Sequence, residues 1–334
     1  MTVTPQRLAS LARVRLAALP TPLQPARRLS EALGLELWLK RDDLTGLGLG
    51  GNKVRALEYL LGDACDRAAD CLVTGGGPQS NWAMLAALAA SRCGLDAYLV
   101  LYGDPCAPTG NLLLARLAGA QVRFTGDPDR ASVDRAVASL GEELRRAGRR
   151  PYVLPRGGAT PLGAVGYVAA CAELAEQFAA AGVEPAELWL ATGSCGTQAG
   201  LVAGVRLLGL RVEVIGVAVS RPVEECVQRV SELAAASAAL LGLPPPEQPA
   251  DGVTVLGGHL GPGHGLPSPE GERAAALMAR SEGVFLDPVF TAKAMAALLA
   301  GSGSRRRRGP VVFLVSGGAP TLFAGRGDSG AVHT

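Results

Sequence analysis

Histidine and lysine are scarce in this 334-residue chain, and its cysteines never pair in sequence. Three histidines (His259, His264, His333) and seven scattered cysteines (Cys65, Cys71, Cys93, Cys106, Cys171, Cys195, Cys226) include no Cys-x-x-Cys. An odd, dispersed set of thiols builds no disulfide framework, and ligands spaced this widely give no reason to expect a structural zinc or any other metal. Most of the thiols read as small buried hydrophobes. No run of about 18 uninterrupted apolar residues occurs, so no membrane span is expected. Residues 1–7 lack the basic-then-apolar order of a secretion signal. An excess of one charge is missing too: 32 basic and 30 acidic residues leave +2, too little for a dedicated binder of nucleic acid. With 48% hydrophobic and 19% charged residues the chain is too apolar for disorder, and it is long enough for two lobes. These absences lead us to expect a soluble cytoplasmic protein.

The shortage of lysine has a chemical consequence. Lys40, Lys53 and Lys293 stand beside 29 arginines, a skew that fits arginine-favouring codon usage. Chemistry that needs a primary amine therefore has three candidates.

What is present is alternation. Short β-rich apolar runs at 35–40, 71–74, 97–102, 121–125, 152–155, 187–192, 212–219, 253–256, 284–286 and 311–315 read as strands. Between them, Ala/Leu-rich stretches at 81–92, 132–147, 162–180, 198–208, 222–241, 269–281 and 292–299 read as helices. Such alternation predicts an α/β fold with mostly parallel sheets covered by helices on both faces. Ligands in open α/β sheets bind at the carboxyl ends of strands. Five turns, 46–52, 75–81, 156–163, 192–197 and 316–321, are rich in glycine, and most carry Ser, Thr or Asn beside it. Glycine permits tight turns and helix caps; five such turns together mark a shared site. The Arg305–Arg308 run reads as a solvated loop, the proline-rich 242–249 as a surface connection and the tail from 325 as frayed.

In Gly50-Gly51-Asn52-Lys53-Val54-Arg55 the lysine stands at a helix start, where the helix dipole disfavours a cation. The glycines and asparagine suggest a backbone packed close to a ligand, with the amine aimed at it. An amine in apolar or cationic surroundings loses its proton and becomes a nucleophile or base. Lys40 ends a strand and Lys293 follows Thr291 on a helix; both read as structural or solvent-facing. Lys53 is the candidate. Farther on, Thr192-Gly193-Ser194-Cys195-Gly196-Thr197-Gln198-Ala199-Gly200 follows a strand and opens an apolar helix. Free N–H groups there, with the hydroxyls of Ser194 and Thr197, form an anion cup suited to a small cofactor phosphate. The same residues would serve as a plain helix cap. The turn is neither a Walker A loop nor a Rossmann fingerprint.

Further motifs accompany these two: Lys40-Arg41-Asp42-Asp43-Leu44, Gln79-Ser80-Asn81, Gly157-Gly158, Pro161-Leu162-Gly163, Asp287-Pro288-Val289 and Gly317-Gly318-Ala319-Pro320. In this order they resemble the fold-type-II pyridoxal-phosphate (PLP) enzymes of the D-cysteine desulfhydrase and 1-aminocyclopropane-1-carboxylate (ACC) deaminase family. The resemblance implies a two-domain, tryptophan-synthase-β-like fold of parallel-rich twisted sheets. In it residues 1–53 and 160–334 form a larger PLP-binding domain and 54–159 a smaller inserted α/β domain. It also implies a homodimer acting on a small amino acid.

The resemblance implies that Lys53 holds PLP as a Schiff base and, once freed by the substrate, moves its Cα proton. Asn81 would hydrogen-bond the pyridine 3-hydroxyl, and Asn52 would help to orient the cofactor. Gly193, Ser194, Cys195, Gly196 and Thr197 would cradle the phosphate, Cys195 replacing the commoner glycine as a packing residue. Thr291 and Ser316 would stand near the pyridine nitrogen. On the substrate side lie Gln79, Ser80, Asn81, Gly158, His264 and Phe290, with Ser80 meeting the carboxylate and serving as nucleophile or acid–base helper. Ser80 and Asn81 would also cap the following helix, and capping is compatible with binding.

In the deaminase branch the positions of Thr291 and Ser316 carry glutamate and leucine; hydroxyls mark the desulfhydrase branch. A glutamate would keep the ring nitrogen protonated and the ring a strong electron sink, whereas a hydroxyl leaves it less electron-withdrawing. This favours α,β-elimination from a β-substituted alanine, giving keto acid, ammonia and a leaving group such as a thiol. β-Replacement, racemisation and ACC deamination are the enzyme alternatives, and a catalytically silent PLP-binding protein the non-enzyme one. Two departures bear on substrate. His264 and Phe290 occupy positions where the family has tyrosines expected to face it. His264 reads either as a substitute acid or as an exposed loop residue, while Phe290 can only pack. A leaving group other than a simple thiol, or a bulkier apolar substrate, is the expectation.

Overall fold

A computed structural model describes residues 4–244, 250–301 and 309–324; the Arg305–Arg308 run, the tail from 325 and most of the proline-rich connection lie outside them. The strands are β1 (Leu23–Pro25), β2 (Leu37–Arg41), β3 (Cys71–Gly76), β4 (Asp96–Leu101), β5 (Gln121–Phe124), β6 (Pro151–Val153), β7 (Glu187–Thr192), β8 (Glu213–Ala218), β9 (Thr254–Leu256) and β10 (Val311–Val315). The helices are α1 (Thr4–Ser10), α2 (Arg27–Leu33), α3 (Lys53–Asp66), α4 (Asn81–Arg92), α5 (Gly110–Leu117), α6 (Ser132–Arg146), α7 (Pro161–Ala181), α8 (Gly196–Leu208), α9 (Val223–Leu240), α10 (Pro269–Glu282) and α11 (Thr291–Gly301).

Two sheets result. One has the order β1-β2-β10-β7-β8-β9, parallel except where β1 pairs with β2; the other, β5-β4-β3-β6, is parallel throughout. β3 and β10 are buried along their whole length, as strands covered by helices on both faces must be. The fold is α/β, as the alternation of strands and helices predicts. No helix among the described residues is long and apolar enough to cross a membrane.

One expected strand is absent. Residues 284–286 alternate buried, exposed, buried, with Phe285 69% exposed, yet they pair with no strand. Val284 and Leu286 instead join the apolar cluster that includes Ala274 and Met278 of α10 and Met295 and Leu298 of α11. Burial alternation is thus satisfied by helix packing rather than by a ladder.

Gly50, three residues before Lys53, has a structural requirement of its own. A Cβ on Gly50, whose φ is +74°, would stand 1.9 Å from the Asp43 carbonyl oxygen. Gly50 is therefore fixed by backbone-to-backbone packing. The Asn52 N–H donates to the Ser316 carbonyl at 2.9 Å, which ties the start of α3 to the end of β10.

Lys40 belongs to the scaffold. Its Nζ donates to the Thr21 carbonyl (2.9 Å) and Gln177 Oε1 (2.7 Å) and pairs with Glu173. Arg55 meets Asp42 through two 2.8 Å bonds and Glu173 through two of 2.9 Å. Burial alone would raise the Asp42 pKa, but the Arg55 guanidinium outweighs it and holds the carboxylate below its ordinary value. Two cations and two anions balance within one buried network that joins β2, α3 and α7.

Candidate active site

The carboxyl ends of β3, β7 and β10 and the start of α3 open onto one cavity of about 920 Å³. Of the three lysines only Lys53 lines it. As the first residue of α3 it is half-buried, with Nζ donating to Ser194 Oγ at 3.0 Å and lying 3.5 Å from the Gly157 carbonyl oxygen. Withdrawal from water disfavours the ammonium form and lowers its pKa to about 8, with Cys195 a smaller opposing influence. Lys293 is fully buried, its Nζ donating to the carbonyls of Leu260 (2.6 Å) and Gly263 (3.1 Å), so it braces the loop that presents His264.

Between β7 and α8 the chain turns through Gly193, Ser194 and Cys195. Cys195 adopts φ +77°, a left-handed conformation rare for a side chain with a Cβ, and its thiol is buried. Gly196 then starts α8, whose first N–H groups have no carbonyl one turn back to bond. Ser194, Cys195 and Thr197 line the cavity at this helix start. Asn52 Nδ2 donates to Thr197 Oγ1 at 3.0 Å, so the residue before the lysine holds the cup. Helix N-termini with adjacent hydroxyls bind phosphate. A lysine amine 3.0 Å from that cup's serine fits an aldehyde cofactor that also carries a phosphate.

Ser80 is the N-cap of α4, its Oγ accepting from the Ala83 N–H at 3.2 Å, which leaves the hydroxyl proton for the cavity. Asn81 follows it and lines the same wall. Ser316, at the end of β10, also lines the cavity. Phe290 and His264 face each other edge-on with ring centroids 6.3 Å apart.

Other residues named from the sequence are placed elsewhere. Thr291 is fully buried: its hydroxyl donates to Asp287 Oδ1 and its N–H to the same oxygen at 2.8 Å, so Ser316 rather than Thr291 reaches the cavity wall. Gly158 lies against Trp82, where a Cβ would stand 2.2 Å from the ring, and it is Gly157 that lines the cavity. Gln79 lines the cavity but turns its amide to α5, donating to the Thr109 carbonyl (3.0 Å) and accepting from the Asn111 N–H (2.9 Å). His264 is exposed; partial desolvation and then the charge of Arg130 hold it below its ordinary pKa. Its exposure matches the reading of His264 as an exposed loop residue.

Sequence reasoning passed over three residues. Gln198, fully buried, accepts from Thr192 Oγ1 (2.7 Å) and donates to the Thr254 carbonyl (2.8 Å), joining the phosphate turn to β9. Asn111 donates to Asn81 Oδ1 at 2.6 Å. Arg130 lines the cavity and donates from Nη2 to the Ser220 carbonyl at 3.0 Å. The contacts to Thr254, Asn81 and Ser220 span 30 or more residues of sequence, and no local pattern signals them.

A poised amine beside an anion cup, at the carboxyl ends of parallel strands, defines an enzyme that works through a phosphorylated aldehyde. The chain belongs to the pyridoxal-phosphate dependent enzymes, whose family profile matches residues 14–317, and its cofactor is pyridoxal phosphate. It is 40% identical over 330 residues to the D-cysteine desulfhydrase of Serratia proteamaculans (strain 568), spanning 96% of this chain and 97% of that one. It is 41% identical over 329 residues to the D-cysteine desulfhydrase of Salmonella choleraesuis (strain SC-B67), at 95% and 97% coverage. Among solved structures, an ACC deaminase homologue superposes with TM-score 0.89 at 37% identity, covering 96% of this chain and 95% of that one.

Proposed function

We propose that this protein is a carbon–sulfur lyase that carries out α,β-elimination on a β-substituted alanine, with D-cysteine as the reference substrate. The balanced reaction is cysteine plus water to pyruvate, hydrogen sulfide and ammonia. The likeness to D-cysteine desulfhydrases over nearly the whole chain supports the substrate class. The single observation that carries the reading is the Lys53 amine held beside the phosphate cup.

Bound pyridoxal phosphate supplies the electron-withdrawing ring that acidifies the substrate Cα–H. The start of α8, with Ser194 and Thr197, holds its phosphate, and Asn52 fixes that cup. Asn81 would donate to the ring oxygen, and the Ser316 hydroxyl would meet the ring nitrogen as a neutral partner; both line the cavity. Ser80 and the Asn81 N–H receive the substrate carboxylate. Lys53, with its pKa near 8, exists partly as free amine at neutral pH and takes the Cα proton. The Cβ–S bond then breaks, sulfur leaving with the electron pair. Phe290 and His264 line the cavity edge-on to each other, His264 at its exposed rim.

A second reading concerns the leaving group. His264 and Phe290, where the resemblance expects two tyrosines, leave the cavity without phenols at those places, which favours a bulkier or more apolar β-substituent than a free thiol. Residues 1–53 and 160–334 acting as one lobe, and 54–159 as a smaller one, belong to the same proposal; the strands of the four-stranded sheet all falling within 71–153 support it. A homodimeric state and a cytoplasmic location belong to the same proposal. Keto-acid release from D- and L-cysteine, D-serine, cysteine S-conjugates and ACC tests the reading. Elimination from a cysteine derivative is expected. Racemisation without keto acid, or no Cα deuterium exchange with any amino acid, would overturn it.

A further inference from the structure

Asn111 is a buried polar residue that the chemistry above does not use. It is 1% exposed, on the first turn of α5, and 30 residues from Asn81 in sequence. Its Nδ2 makes two bonds, one to the Gln79 backbone carbonyl at 3.0 Å and one to Asn81 Oδ1 at 2.6 Å. The main-chain N–H of Asn111 donates to Gln79 Oε1 at 2.9 Å, and Gln79 Nε2 donates to the Thr109 carbonyl at 3.0 Å. Side chain and backbone of Asn111 are thus both fastened to the turn that carries Gln79, Ser80 and Asn81.

Hydrogen-bond polarity makes this arrangement directional. A backbone carbonyl can only accept, so the Asn111 atom facing Gln79 must be its NH₂ group. That same nitrogen spends its other proton on Asn81, so Asn81 must present Oδ1 to it and turn Nδ2 the other way. Asn81 Nδ2 lies beside Gly318, where a Cβ would come within 2.7 Å of it. Asn111 Oδ1, in contrast, is buried with no partner among the described residues. An orphaned buried acceptor is destabilising. A residue there for packing alone would be better replaced by leucine.

We infer that Asn111 is a positioning residue that locks the Asn81 amide with its donor toward the cofactor ring oxygen. The inference rests on Asn81 meeting that oxygen, as proposed above, and not on which amino acid is consumed. Freed from Asn111, the Asn81 amide can rotate and set its carbonyl oxygen against a negatively charged partner.

The test measures pyridoxal-phosphate affinity of the cofactor-free protein, and the pH midpoint of the visible absorption band of the loaded protein. Asn111→Leu removes the orphaned Oδ1 but leaves the Gln79 carbonyl and Asn81 Oδ1 without their donor, so its melting temperature is expected to fall modestly while the protein still folds. Its cofactor affinity is expected to fall about tenfold, a typical loss for a hydrogen bond to a charged group. The band's midpoint is expected to move to higher pH, because the ring oxygen then carries more negative charge beside the linked nitrogen and retains its proton. Asn111→Ala, compatible with a helix, should repeat both shifts and serves if the leucine variant does not fold. In an Asn81→Ala background neither substitution should change affinity or midpoint further. Unchanged affinity and midpoint in Asn111→Leu and Asn111→Ala, with Asn81→Ala shifting both, would overturn the inference alone. An Asn81→Ala variant that behaves as wild type would overturn the placement of Asn81 beneath it.

Discussion

Lys53 Nζ donates to Ser194 Oγ at 3.0 Å across 141 residues of sequence, joining the first residue of α3 to the turn that opens α8. The Asn52 Nδ2 bond to Thr197 Oγ1 at 3.0 Å joins the same two helix starts, so the amine proposed to take the aldehyde and the turn proposed to hold the phosphate are tied side by side.

The pKa of Lys53 has a measurable outcome. Burial lowers it from 10.5 to about 8, and only the uncharged amine attacks an aldehyde. The rate at which the cofactor-free protein captures pyridoxal phosphate is expected to rise through pH 8 and level off above it. Between 8 and 10.5 the unfolded chain binds more protons at this lysine than the folded one, so its contribution to stability increases with pH in that window. Stopped-flow growth of the visible band against pH checks the first expectation; a midpoint near 10.5 would contradict it.

Lys40→Met separates a structural lysine from a chemical one. Removing Nζ strips Glu173, the Thr21 carbonyl and Gln177 of a buried partner, with an expected loss of about 3 kcal/mol in denaturant unfolding. Cofactor binding per folded molecule should be unchanged. A stable variant that fails to bind pyridoxal phosphate would refute this division of labour.

The second reading of the site proposes that His264 and Phe290, which line the cavity edge-on to each other, set substrate choice. His264→Tyr combined with Phe290→Tyr is expected to raise sulfide release from D-cysteine and to lower keto-acid release from cysteine derivatives with larger apolar leaving groups. Steady-state kcat/KM for the two substrate types measures it. Wild-type turnover of D-cysteine already equal to that of the double variant would contradict the second reading of the site.

Much of this site is local in sequence, and that part is legible there. Ser80-Asn81 and Gly193 to Thr197 are strand-end turns running into helices, so their chemistry follows from short-range rules for caps and anion binding. Lys53 emerges because lysine is so rare. What the sequence conceals is orientation. The hydroxyl of Thr291 is consumed by Asp287, the amide of Gln79 is turned away to α5, and Gly158 sits on an indole; each depends on a partner that pattern does not reveal. The segment 284–286 misleads for the opposite reason, since its period of two arises from packing on helices rather than from a ladder.

The most direct measurement is borohydride reduction of the pyridoxal-phosphate-loaded protein, followed by peptide mapping of the fixed label. The label is expected on Lys53, in the peptide that begins α3, and Lys53→Ala should lose both the label and the visible band. A label on Lys40 or Lys293, or a protein that takes up no pyridoxal phosphate at saturation, would contradict the account.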